Sequence, residues 1–201
     1  MKKLFIVYRV LLIFLKLKKV ASSLYLAHFN LKHLKMKNLI LTITALFLTI
    51  SISAQTVVDA AVSNKDFSTL VTALKAADLV GALNAEGPFT VFAPNNDAFA
   101  KIDSETLANL LKPENVEALS NILTYHVVSG KLMASDVTKA LKKGYGKTKL
   151  TALNGQTFVA RSKGDKIFLK DKNGNMSEIV ATDVVGTNGV IHVIDTVIMP
   201  E

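Results

Sequence analysis

The chain has 201 residues, half of them hydrophobic and 20% charged, which excludes an acidic disordered chain and suits one ordinary domain. The net charge of +8 sits at the front: residues 1–55 hold nine Lys and Arg and no acid, while residues 56–201 hold 15 basic and 16 acidic residues, a balance of −1 that excludes a basic nucleic-acid-binding domain. No Cys is present, so disulfides, thiolate metal sites, a Cys nucleophile and a lipid-anchored Cys are excluded.

Residues 1–35 are expected to have no folded role. Leu4 to Leu15 is apolar apart from Arg9, but a complete export signal begins at Met36, so the upstream residues read as an over-extended start. The alternative is a second membrane segment. Met36-Lys37-Asn38 leads into sixteen uncharged residues, Leu39 to Ala54, with small residues at the end. That is the layout of a secretory signal peptide over 36–54, and sixteen residues fall short of the roughly 20 that a bilayer span needs. Residues 55–201 then form a single domain. The alternative leaves 39–54 uncleaved as a membrane tether.

The first half of that domain has helical spacing. Val57, Val58, Ala61 and Val62 make one face, and Phe67, Leu70, Val71 and Leu74 a second whose start Asp66 can cap. Ala77 to Leu83 continues as a shorter piece until Gly87-Pro88. Phe89 to Phe92 is β-prone and stops at Pro94. Asn95 or Asn96 caps the next helix, Asp97 adds negative charge to its first turn, and Phe99 packs back on the core. Ser104 opens a helix carrying Leu107, Leu110 and Leu111, and Pro113 suits the first turn of one carrying Val116, Leu119, Ile122 and Leu123. Tyr125-His126-Val127-Val128 reads as a strand ended by Ser129-Gly130.

The second half reads as β-sheet. Asn154-Gly155, Gly164-Asp165, Asn173-Gly174 and Asn188-Gly189 punctuate β-prone runs, and Asn-Gly is the strongest short-range hairpin signal. In the last run, Val190 to Ile198, Val190, His192, Ile194, Thr196 and Ile198 face one way, with Ile191, Val193, Asp195 and Val197 opposite. Mostly apolar residues on both faces predict a central strand or one between two layers. The fold class is therefore α+β, helices first and strands after.

A search for chemistry finds little. There is no phosphate-binding loop and no Gly-x-Ser-x-Gly elbow. The domain has two histidines, His126 and His192, which with Asp97, Asp183 or Asp195 could serve a small hydrolase or hold a metal. Their spacing carries no metal signature and each lies in an apolar run, so a structural role bonded to backbone is expected, with no metal and no cofactor. Asp171 to Asn175 resembles a calcium loop but places Gly fourth instead of sixth, so a hairpin turn explains it. Asn175-Met176-Ser177 is a glycosylation sequon. Lys139, Lys142, Lys143, Lys147 and Lys149 form a local basic cluster, read as a solvated face or as a salt-sensitive contact with an anionic polymer.

Three segments together resemble the fasciclin-like domain family. Thr90-Val91-Phe92-Ala93-Pro94-Asn95-Asn96-Asp97-Ala98-Phe99 resembles its first signature motif, with Asn95 where the family usually has Ser or Thr. Tyr125-His126 matches its tyrosine–histidine motif, and Gly189 to Pro200, through His192 and Asp195, is similar to its closing motif. The resemblance implies a helical layer beside a β-sandwich or wedge of about seven strands. Thr90, Phe92, Ala93, Pro94, Asn96, Asp97, Phe99, Tyr125, His126, Gly189, His192, Asp195 and Pro200 would carry the fold. It also implies a non-catalytic adhesion module, secreted or at the cell surface with the periplasm included, monomeric, and binding a matrix or surface protein or a polysaccharide. No nucleic acid is expected as partner, and a membrane only during export or through an uncleaved signal. Partner contact is expected at Tyr125, His126, Lys142 and Lys143.

Overall fold

The computed structural model describes residues 55–201, which fall within one compact unit, Ser53–Glu201. The expected signal peptide and the segment before it lie outside the described residues. Among the described residues no helix is long and apolar enough to cross a membrane.

The chain opens with α1 (Val57–Ser63), whose Thr56 cap accepts from the Asp59 amide while Asp59 accepts from the Thr56 amide. This reciprocal capping holds the Asp59 carboxyl below its usual titration range. A 3₁₀ turn (Lys65–Phe67) follows, then α2 (Ser68–Ala76), α3 (Val80–Leu83), β1 (Phe89–Pro94), α4 (Asn96–Ala100) and α5 (Ser104–Leu110). After a second 3₁₀ turn at Pro113–Asn115 come α6 (Val116–Tyr125), β2 (Val127–Ser129) and α7 (Ala134–Lys143). The remaining strands are β3 (Lys147–Thr151), β4 (Thr157–Lys163), β5 (Lys166–Lys170), β6 (Met176–Gly186) and β7 (Gly189–Ile194).

The seven strands form one sheet in the order β2-β1-β7-β6-β5-β4-β3. Among the described residues only β1 and β7 pair in parallel. An isolated bridge from Val128 to Ala152, and the Leu153 amide on Val127 O at 2.8 Å, bring β2 beside the end of β3. The sheet is thus curled into a nearly closed wedge.

β1 and β7 separate two apolar cores, as the two-sided pattern of β7 predicts. On one side Val91, Ala93 and Ile191 pack against Phe67, Leu70 and Leu74 of the helical layer. On the other Phe92, Ile194 and Ile198 pack with Tyr125, Phe158, Ala160 and Leu169 inside the wedge. Each fully buried Phe, Leu or Ile contributes about 1.5–3 kcal/mol, so these layers supply the main driving force for folding.

Several local expectations are corrected. Tyr125 ends α6 and His126 is its C-cap, so the strand begins at Val127, because the apolar face of the helix carries one turn further than its β-prone residues suggest. The turn before α2 is capped by Asn64 and not by Asp66, whose amide the Asn64 side chain accepts at 2.9 Å; α5 does open at Ser104, with Asp103 as its cap. Val62 is 56% exposed and leaves the face expected of it. Helix α7 falls where sheet was expected. Asn188-Gly189 does form a hairpin, but Gly189 already belongs to β7, paired with Gly186. Glycine is required there by proximity, since a Cβ would lie 2.2 Å from the Phe89 carbonyl oxygen.

Candidate functional site

The first signature segment builds a corner between β1 and α4. Asn95 caps α4 through the Ala98 amide at 2.8 Å. Asn96 turns to a different helix: its carbonyl oxygen accepts the Thr69 amide at 3.1 Å and its NH₂ donates to Lys65 O at 2.9 Å. It therefore caps α2, whose own N-cap, Phe67, has no side chain able to do so. Thr90, fully buried, donates to Gly130 O at 2.6 Å and accepts the Leu132 amide at 2.9 Å, fixing the loop before α7. Phe92, Ala93, Pro94 and Phe99 are buried, and Asp97 is exposed in the first turn of α4.

The two histidines are interior struts. His126 is 2% exposed; Nδ1 donates to Ile122 O at 2.8 Å and Nε2 accepts the Ile198 amide at 3.1 Å. Acceptance at Nε2 defines a neutral ring protonated on Nδ1. Burial pushes its pKa down to about 4, against a smaller upward pull from the Ile122 carbonyl. His192 is 1% exposed; Nε2 donates to Leu132 O at 2.7 Å and Nδ1 accepts the Asp183 amide at 3.4 Å. Its ring lies 5.6 Å from that of Phe92. Tyr125 is fully buried with its hydroxyl on Thr157 O at 3.1 Å, and burial followed by the nearby Asp171 charge raises its pKa.

These positions bear on two expectations. The side chains of Tyr125 and His126, expected at a partner contact, are buried. The hydrolase or metal alternative needs a histidine gathered with Asp97, Asp183 or Asp195, and the structure does not gather them. Both rings spend both nitrogens on backbone. Asp183 meets His192 only through its amide and turns its carboxylate to the Ala134 amide at 2.8 Å, capping α7. Asp195 accepts the Glu178 amide at 2.8 Å and pairs with Lys101 at 3.1 Å. Burial opposes its ionisation, but these contacts prevail and its carboxyl titrates below the usual range. Asp171 holds the expected turn, bonding Asn175 at 2.8 and 2.9 Å and the Met199 amide, next to half-buried Pro200, at 3.2 Å. Among the described residues no buried side-chain nitrogen or oxygen lacks a hydrogen-bond partner, and no cluster of three metal-ligating side chains exists.

Exposed chemistry gathers elsewhere. Residues 131–172 hold eleven Lys and Arg against three Asp and no Glu, a net +8, whereas the other residues of 55–201 hold four basic and thirteen acidic residues, a net −9. The near-neutral total conceals this segregation. Cross-strand partners share a face. One row of the outer face therefore reads Lys147, Arg161, Phe168, Glu178, a second reads Lys149, Val159, Lys170, Met176, and Lys163 stands opposite Lys166. Lys147, Lys149, Arg161, Lys163 and Lys166 are exposed, with Lys170, Val159 and Phe168 half-buried. Lys166 pairs with Glu178 at 2.7 Å. Lys142 and Lys143 are exposed in the last turn of α7, where their charge suits the helix dipole. Lys142 borders an open groove of about 450 Å³ between α7 and the β4–β5 turn, shared with Thr138, Ser162, Asp165 and Lys166. The lysine cluster was visible in the sequence; Arg161, Lys163, Lys166 and Lys170 were missed, because only strand register brings them beside it.

The comparisons agree with the fold. The chain is 48% identical over 148 residues to Protein sll1483 of Synechocystis sp., covering 74% of this chain and 75% of that one. It is 36% identical over 141 residues to human periostin, covering 68% of this chain and 15% of periostin. Among solved structures it resembles the FAS1 domain pair of the insect cell adhesion molecule Fasciclin I, with a TM-score of 0.52 and 22% identity over 68% of this chain and 46% of that one. The fasciclin domain profile matches residues 65–200, a span that takes in the Asn95–Asn96 corner, both buried histidines and the whole sheet. The chain belongs to the fasciclin domain family.

Proposed function

We propose that this domain is a non-catalytic adhesion module, secreted or held at the cell surface or in the periplasm, that binds matrix, glycan or surface-protein partners as a monomer. The observation that carries the reading is the division of its chemistry. Among the described residues every buried polar side chain is committed to a structural bond, while the uncommitted charge is on the surface. Adhesion needs an exposed patch and no activated side chain. The likeness to a domain pair from a cell adhesion molecule supports the same reading. A lone domain lacks the avidity of an array, so each contact is weak.

The test is retention of labelled, folded residues 53–201 on cells and matrix of the producing organism, beside an unfolded sample. Saturable retention that requires the fold is expected. Equal retention of the unfolded sample, or none for either, overturns the proposal.

A further inference from the structure

The geometry points to the outer face of β3, β4 and β5 as the docking surface for a linear anionic polysaccharide. This inference rests on the adhesion reading and names its surface and its class of partner.

Three observations carry it. The first is charge: Lys147, Lys149, Arg161, Lys163, Lys166 and Lys170 share one sheet face, within a stretch of net +8 in a domain whose other residues sum to −9. Among the described residues the one ion pair made by these six cations is Lys166 with Glu178. The second is spacing. The row Lys149, Val159, Lys170, Met176 alternates cation with apolar side chain at each strand, and strands lie about 4.8 Å apart, so its two cations stand roughly 10 Å apart with Val159 between them. An acidic polysaccharide has the matching pattern, anionic groups alternating with the C–H faces of its rings. The third is Tyr145, 97% exposed between Gly144 and Gly146, two residues before Lys147 at the edge of this sheet. An exposed aromatic ring at the border of a cationic face suits stacking on a sugar.

Other polyanions fit less well. Single-stranded nucleic acid wants a series of exposed aromatic rings on which successive bases stack, and this face offers one, Tyr145 at its border, since Phe168 within the rows is half-buried. A face three strands wide does not enter the major groove of a duplex, which admits a helix or two-stranded ribbon. An anionic bilayer is engaged by several apolar groups that project past the cations, whereas here Val159 and Phe168 are half-buried and Met176, at the end of its row, is the one exposed apolar member.

The experiment measures binding of labelled residues 53–201 to polygalacturonate, with neutral dextran, a single-stranded DNA oligonucleotide and phosphatidylglycerol vesicles as comparators. The variants are Arg161→Glu/Lys170→Glu and the neutral Arg161→Gln/Lys170→Gln, with Lys65→Glu/Lys75→Glu on the helical side as a charge-matched control; circular dichroism checks each fold. The expected result is binding to polygalacturonate that weakens with added salt, falls at least tenfold in both sheet variants, and is unchanged in the control. Undiminished binding in the sheet variants, absence of binding, or tighter binding to the oligonucleotide or vesicles overturns the inference. The same variants applied to cells separate the two proposals. Full retention of the sheet variants leaves adhesion standing and rejects this face, whereas failure of the wild type to bind cells while it binds polygalacturonate rejects adhesion and keeps the face.

Discussion

The imidazole of His126 accepts the Ile198 amide at 3.1 Å across 72 residues of sequence, while its other nitrogen donates to Ile122 one turn back in α6. One ring thus closes the end of a helix and ties the segment after β7 to it. His126→Ala leaves a buried amide and a carbonyl unpaired and is expected to cost about 1–3 kcal/mol. A urea denaturation curve checks this, and a midpoint unmoved from wild type contradicts the structural role.

The same residue sets a pH dependence. Its folded pKa is about 4, below the ordinary value of 6.5, so between those limits the unfolded chain binds a proton that the folded chain refuses. His126 therefore favours the folded state fully above about pH 6.5, and that advantage drains away as pH falls toward 4, by roughly 3 kcal/mol in all. Denaturation at pH 7 and pH 4.5 should show the loss, and His126→Gln should flatten the slope in that window. Asp195, whose carboxyl is held below its usual range, adds its own loss only at lower pH.

Asp183 occupies a left-handed backbone position, φ 61°, at a register shift of β6, and from there its carboxylate caps α7. Asp183→Ala removes the cap and keeps the strain, for an expected loss of about 1–3 kcal/mol. Asp183→Asn keeps an acceptor and a residue tolerant of that backbone, so it should stay close to wild type in a thermal melt.

Gly189→Ala tests the contact between β1 and β7. The added Cβ would meet the Phe89 oxygen at 2.2 Å and the Phe89 carbon at 3.0 Å, both in the backbone of the parallel partner. Overpacking against backbone costs about 1–3 kcal/mol or more, and a lowered denaturation midpoint is the expected result.

Lys147 faces Arg161 and Lys163 faces Lys166 across paired strands. Like charges directly opposite weaken a sheet, so Arg161→Glu is expected to raise stability by about 0.2–1 kcal/mol. The gain should shrink in high salt, where the repulsion it removes is screened. A melt that drops on this substitution would show that the pair is not repulsive.

The layered plan was legible because it is written in short-range terms. The two-sided apolar pattern from Val190 onward pointed to a central strand or one between layers, and the Asn-Gly and Gly-Asp turns marked the hairpins. Helix α7 was not legible: Val137 and Leu141 are its only buried residues, a stripe too narrow to stand out among lysines. Tyr125 and His126 look β-prone locally, and the demand of α6 for one more inward residue overrides that preference. The basic face was hidden for a different reason. Alternation in Lys147 and Lys149 reveals a strand with one charged side, but Arg161 and Lys170 join that side only through register.

The segregation of charge gives this domain a behaviour that its net charge of −1 does not suggest. The stretch from Thr56 to Glu117, which carries the helical layer, contains nine acids and four bases, while the stretch around β3 to β5 is strongly cationic. Such a body is an electric dipole. Near an anionic surface it experiences a torque before it experiences contact, and the field turns the cationic strands inward and the helices outward. Orientation is then decided during approach, so successive molecules land the same way up.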